Sequence, residues 1–276
     1  IECGAMYNPE HSMEEQVLNE TAFVNGIAAM SNSGAYGNTK IAAGIVGSAP
    51  LLIGDKVANI LDQHLSIASD RFKGIRSQAA MHPDGTIPVS RARPIEGVYV
   101  NDMFQQGFSH LESRNLSFEA WCYHPQLPQL IELAKKFPNT SIILNHFGGP
   151  LGVGSFSNKE DETYNFWEKK IIELSKCENV VAKLGGIAME INGFDWHKNN
   201  SAPSGNELIN RTKRYYDKTL ELFGINRCMF ESNFPVDKIS CSYVNLWNGF
   251  KGLTKDYSKS ERAKLFHDNA TRTYKL

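Results

Sequence analysis

Short apolar runs alternate along this chain with longer stretches of helical period. Strand-like runs lie at Ile1–Tyr7, Ile41–Ser48, Phe72–Ala80, Leu116–His124, Ser141–Pro150, Val180–Leu184 and Cys228–Asn233. They are apolar, short and bounded by turn residues, the pattern of strands buried on both faces of a parallel sheet. Between them, helical spacing predicts helices over Met13–Met30, Ile53–Ala68, Val98–Arg114, Pro128–Lys136, Tyr164–Leu174 and Asn206–Phe223. Two more follow the last strand, near Tyr243–Leu253 and Ser260–Ala270. In the second helix Val57, Ile60, Leu61 and Leu65 share one face. Two stretches break the rhythm, Met81–Gly97 and Ile187–Gly205. Both are long for βα connections, and such loops often form lids or binding surfaces.

Seven strands, each followed by a helix, point to an α/β fold, a (β/α)8 TIM barrel, more than to a doubly wound sheet. Such a barrel closes with eight strands. Residue 1 is Ile, not Met, and Ile-Glu-Cys-Gly-Ala-Met reads as mid-strand sequence. The expectation is therefore one domain over 1–276 that lacks its first βα unit, with a gap between the strand at Ile1 and the strand at Cys228. The alternative is an open seven-stranded sheet. No GxGxxG follows an early strand; Gly152-x-Gly154 lacks the third glycine, which weighs against a dinucleotide site.

Composition narrows the function classes. The chain has 276 residues, with 29 basic against 30 acidic side chains. It has no basic stripe with interleaved aromatics, so nucleic acid is not an expected partner. No apolar run is long enough to cross a bilayer. The five cysteines show no metal-finger spacing and read as reduced core thiols in a cytoplasmic protein. The pattern leaves the oligomeric state open.

Candidate chemistry lies where three strands end. Ser141–Pro150 climbs through apolar residues to Asn145-His146 and breaks at Gly148-Gly149-Pro150. Another strand closes on His124, and a third on Glu231-Ser232-Asn233. In α/β barrels the carboxyl ends of the strands carry the chemistry. Two imidazoles with an amide or carboxylate at one rim are the layout of a metal-assisted or general-base hydrolase. Strand alternation would put Cys122 and Ala120 below an inward His124. It would likewise put Leu144 and Ile142 below His146, and Glu231 and Met229 below Asn233. Lys183 interrupts an apolar strand and needs a partner, which Glu231 on a neighbouring strand could supply; the other reading makes Lys183 and Glu231 contacts to substrate. Arg76, near its strand end, suits recognition of a carboxylate. Arg91, Arg93, His82 and His197 read as loop residues facing solvent, and Cys122 and Cys228 as packing rather than nucleophiles.

The segments LNHFGGP, CYHPQLP, RCMFESNFPVDK and DNATRTYKL resemble the amidohydrolase-related family, a TIM-barrel branch that holds lactonases and decarboxylases. The resemblance runs from the first strand to the last helix. It implies a hydrolase acting on a lactone or similar cyclic ester of a small carboxylic acid. His124 matches a metal ligand of the metal-dependent members, which makes zinc the first divalent ion to consider. His146 matches the histidine that polarises substrate or moves a proton. Asn233 falls where those members carry an aspartate, and the family's His-x-His is not present in this sequence. A carboxamide is a weaker ligand and no base near neutral pH, so the usual metal site is in doubt unless Glu231 or Asp237 substitutes. The alternatives are a metal-dependent decarboxylase on the same frame, or a catalytically reduced barrel that binds a small acid.

Overall fold

A computed structural model describes residues 1–90 and 93–276. Six parallel strands run in sequential order: β1 Ile45–Gly47, β2 Phe72–Gln78, β3 Ser117–Trp121, β4 Ile142–Leu144, β5 Val180–Leu184 and β6 Cys228–Phe230. Around them lie α1 Met13–Asn32, α2 Val57–Ile67, α3 Asp102–Phe108, α4 His110–Ser113 and α5 Leu127–Lys136. These are followed by α6 Glu160–Leu174, α7 Gly205–Phe223, α8 Tyr243–Leu253, α9 Lys259–Ala263 and α10 Asn269–Tyr274. All-parallel pairing in sequence order with intervening helices is the architecture of a β/α barrel. Among the described residues the sheet remains open between β1 and β6. No helix among them is long and apolar enough to cross a membrane.

The strand expected at Ile1–Tyr7 does not form. Its backbone meets β1 where Glu2 N–H donates to Val46 O at 2.7 Å, and then turns away through left-handed Gly4 and Met6. Several other strands are shorter than their apolar runs. Beyond Leu144 and Phe230 the chain leaves the ladder through left-handed His146, Phe147 and Asn233, which cannot continue a strand. The helix expected over Val98–Arg114 is divided. Asn101 takes extended backbone and caps α3 by accepting from Phe104 N–H. Helix α1 starts at a reciprocal capping box between Ser12 and Glu15.

Side-chain direction fixes the inside of the barrel. Phe118 points outward, its ring within 4.9 Å of Phe108 and 6.1 Å of Phe104, and Ala120 shares that helix-facing core. Ile142 and Leu144 also join it. This corrects the expectation that Ala120, Cys122, Ile142 and Leu144 would line the interior. The inward side chains on β3 are Glu119 and Trp121, and on β5 the inward one is Lys183, which meets Glu119 at 2.8 Å. Glu231 joins the same interior, as its alternation predicts. Each fully buried Leu or Phe in the outer core stabilises by roughly 1.5–3 kcal/mol. That layer holds the strands firmly enough to carry charges inside.

Candidate active site

The loop after β4 builds the centre of the site. Asn145 is extended and buried, and its amide donates to the Glu119 carboxylate. His146 and Phe147 then take φ of 52° and 57°. Two successive non-glycine residues in this region cost about 1–3 kcal/mol each. The surroundings hold them there. Trp167 Nε1–H donates to Phe147 O at 2.6 Å, and Gly148 N–H to Asn145 O at 2.8 Å. The Phe147 ring stands edge-on to Tyr216 at 4.9 Å. The left-handed turn swings His146 out of strand alternation and into the barrel mouth.

There the imidazole is held on three sides. Its Nδ1 lies 2.6 Å from Glu231 Oε1. This is a close contact and not a well-aligned hydrogen bond, since neither atom meets hydrogen-bonding geometry. Trp121 stands edge-on at 4.9 Å between ring centres. On the remaining side is Gly186, where a Cβ would sit 2.1 Å from Nδ1, so only glycine leaves the ring its place. Among the described residues Nε2 hydrogen-bonds to no protein group, which leaves it available to a reactant.

Glu231 is fixed in its ionised form. Burial pushes its carboxyl up, but His146, Lys183 and Arg76 outweigh burial and hold it at about 2. Lys183 Nζ lies 3.6 Å from Glu231 Oε2 and 2.8 Å from Glu119 Oε2. One cation thus serves two carboxylates. A carboxylate beside Nδ1 holds the proton on that nitrogen in the neutral ring and makes Nε2 the basic one.

A second carboxyl group backs the site. Asp237 is buried, and its Oδ1 accepts from Asn233 Nδ2 at 2.7 Å. Among the described residues neither its Oδ2 nor the buried hydroxyl of Tyr216 has a well-aligned hydrogen-bond partner, although the Ala188 backbone helps to lower the carboxyl. Burial raises Asp237 to about 7, against the hydrogen bond from Asn233 and the attraction of His146. The structure therefore brings His146, Glu231, Asn233, Asp237 and Lys183 together. The sequence signal for Asp237 is its four-residue spacing from Asn233 across a turn.

Two expected site residues are engaged elsewhere. His124 is buried with its Nδ1 accepting from Leu151 N–H at 3.2 Å. Its ring stands edge-on to Phe156 and Phe166, the latter on α6. Burial lowers it to about 4. It therefore stands apart from the group around His146, packed against aromatic rings. Arg76 Nε lies 2.8 Å from Glu2 Oε1, so part of its guanidinium is engaged by Glu2 while its charge also acts on Glu231. Arg93 is exposed, and Arg91 lies outside the described residues. His82 packs edge-on to Phe156, and His197 lies 3.9 Å from Glu190. All five cysteines are free, and burial raises Cys122 and Cys228 to about 12, too high for a nucleophile.

The described residues offer zinc no matching donor set. Among the described residues no three His, Cys, Asp or Glu side chains converge as a metal cage. His124 spends Nδ1 on the backbone, and Asn233 turns its N–H, not its oxygen, towards Asp237.

The model of the family described as amidohydrolase matches residues 24–276. A protein of Sinorhizobium fredii, described as uncharacterized protein y4mH, is 35% identical over 240 residues, 84% of this chain and 70% of its own length. The L-fucono-1,5-lactonase of Burkholderia multivorans is 26% identical over 180 residues, 64% of this chain and 58% of the relative. The chain thus spans little more than half of that lactonase. Among solved structures, an amidohydrolase from Burkholderia multivorans with bound zinc superposes with a TM-score of 0.72 at 23% identity. That match covers 93% of this chain and 79% of the other, and it shows a shared TIM-barrel fold.

Proposed function

This chain belongs to the amidohydrolase family, and on that premise we propose that it hydrolyses a lactone or similar cyclic ester of a small carboxylic acid. The observation that carries the reading is the pair of His146 Nδ1 and Glu231 Oε1 at 2.6 Å, with Nε2 left to a reactant. The likeness to an L-fucono-1,5-lactonase supports the choice of lactone.

In this mechanism a water molecule attacks the acyl carbon and gives its proton to His146 Nε2. Glu231 stabilises the imidazolium that results, as a carboxylate at Nδ1 does in hydrolytic triads. As the tetrahedral centre collapses, the acyl–oxygen bond of the ring breaks. The imidazolium returns the proton to the departing alkoxide, and the product is an open hydroxy acid. Lys183 keeps Glu231 from taking the proton itself. Asp237 is close enough to favour the imidazolium once it ionises, above about pH 7. Zinc of the kind held by the solved relative would have to be bound by groups outside this cluster.

The test is proton release in a pH-stat with L-fucono-1,5-lactone and related aldonolactones, for wild type and His146→Ala. We expect ring opening above the spontaneous rate, and a loss of roughly 10²–10⁴-fold without the imidazole. Failure to open any lactone, with carbon dioxide released from small aromatic acids instead, would overturn the reading in favour of a decarboxylase. An undiminished rate in His146→Ala would overturn the role of His146.

A further inference from the structure

One residue far from the mouth touches the charged interior. After α8, the chain passes beneath the sheet at the amino ends of the strands. Asn269 Nδ2 donates to Cys228 O at 2.7 Å, at the start of β6. Tyr274 and Leu276 pack over Gly44, just before β1. This stretch crosses the open side of the sheet from its last strand to its first. From there Tyr274 reaches upward, and its buried hydroxyl donates to Glu119 Oε1, a contact between residues 155 apart in the sequence. The ring also faces Lys183, with Nζ 5.7 Å from its centre.

Glu119 therefore accepts from three donors. Tyr274 holds Oε1, while Asn145 and Lys183 share Oε2. Lys183 is drawn between two carboxylates and lies nearer to Glu119, at 2.8 Å, than to Glu231, at 3.6 Å. Each additional donor on Glu119 weakens its hold on Lys183 and leaves more of that cation for Glu231. Glu231 in turn contacts His146. The chain Tyr274–Glu119–Lys183–Glu231–His146 runs from the amino end of the barrel to its mouth without a break.

We propose that Tyr274 is a positioning residue for the site: its hydroxyl on Glu119 sets how Lys183 divides between Glu119 and Glu231, and so how much negative charge meets His146. The inference rests on reading His146 as the acid/base group, although its test needs no substrate. The charged groups facing this imidazole are Glu231 and Asp237 following β6, with Lys183 on β5 and Glu119 on β3 behind them. Arg76 on β2 acts on Glu231. Of these, Tyr274 touches Glu119 through its hydroxyl and Lys183 through its ring, and it feels Glu231 and Arg76 only at longer range.

Tyr274→Phe removes the hydroxyl and keeps the ring. Lys183 should then move towards Glu119, and Glu231 should become less compensated. The His146 ring resonances, identified by their loss in His146→Ala and followed by NMR against pH, should then titrate about half a pH unit higher or more, as expected where a nearby countercharge is withdrawn. Glu119→Gln frees Lys183 for Glu231 and should move the same resonances to lower pH. The opposite signs separate a charge relay from general loosening, which would lower melting temperature without a directed shift. Resonances that titrate as in wild type in Tyr274→Phe overturn the proposal. If that variant does not fold, an unmoved or upward titration in Glu119→Gln overturns it equally. Directed shifts in a protein that opens no lactone would leave this inference standing while the functional reading fell.

Discussion

Asp237→Asn isolates the most perturbed carboxyl group of the site. Its burial raises it from 3.8 to about 7. The folded chain therefore keeps this proton over a pH range in which the unfolded chain has lost it. Below about pH 4 both states hold the proton; between about 4 and 7 only the folded state does; above 7 neither does. The stability that this group contributes is thus complete at the acid end and is lost as pH rises towards 7. The span is about three pH units, and at 1.36 kcal/mol per unit it amounts to about 4 kcal/mol. Asparagine keeps the shape and can still accept from Asn233, but it does not titrate. Any cost of burying its new N–H does not vary with pH and so cancels from the comparison between two pH values. Glu231 is depressed to about 2, so its stabilisation is lost only as pH falls below the usual carboxylate range. It is common to both proteins and cancels. Urea unfolding of wild type and Asp237→Asn at pH 5 and pH 8 measures the effect. Wild type should lose about 3 kcal/mol relative to the variant between those two values. A difference that stays constant, or changes in the other direction, would refute the picture of a buried, half-protonated Asp237.

Two further predictions concern the walls of the site. Gly186→Ala puts a Cβ against His146 Nδ1 at a φ of 72°; it should cost about 1–3 kcal/mol in strain and displace the imidazole, with activity falling roughly 10²-fold. A melt and a rate measurement decide it, and a wild-type rate would mean that the ring has room to spare. Asn233→Asp faces a second carboxylate across the 2.7 Å contact to Asp237. Like charges should lower melting temperature at pH 8 more than at pH 5, and added zinc should restore part of the loss. A melting temperature indifferent to both pH and zinc would show that the two side chains have moved apart.

Parallel pairing and strand order were legible because buried parallel strands read as short apolar runs, and Val180–Leu184 matches its run to the residue. The pairing of Lys183 with Glu231 was legible too, since a lysine in such a run must find a countercharge. The facing of β3 and β4 was not. Small Ala120 and Cys122 suit a crowded interior, but the interior holds Glu119 and Lys183, which cancel each other, while Phe118 packs outward. No composition rule ranks a compensated charge inside above a phenylalanine. His146 was found for a reason that proved incomplete, because a left-handed turn, and not strand alternation, brings it into the mouth. The same alternation groups His124 with it, whereas the His124 ring stands against Phe156 and Phe166. The Tyr274–Glu119 contact has no local signal, since only the closed path of the fold brings those two positions together.

The pairing of His146 with Glu231 is the centre of this account, and Glu231→Gln tests it most directly. The substitution keeps size and removes the charge at Nδ1. On lactone hydrolysis kcat should fall about 10- to 100-fold, the usual effect of losing the group that orients a functional histidine, and the acid limb of kcat/KM should move to lower pH as the imidazolium loses its countercharge. A Glu231→Gln protein with the wild-type rate and an unmoved acid limb would contradict the claim that this carboxylate prepares His146 for catalysis.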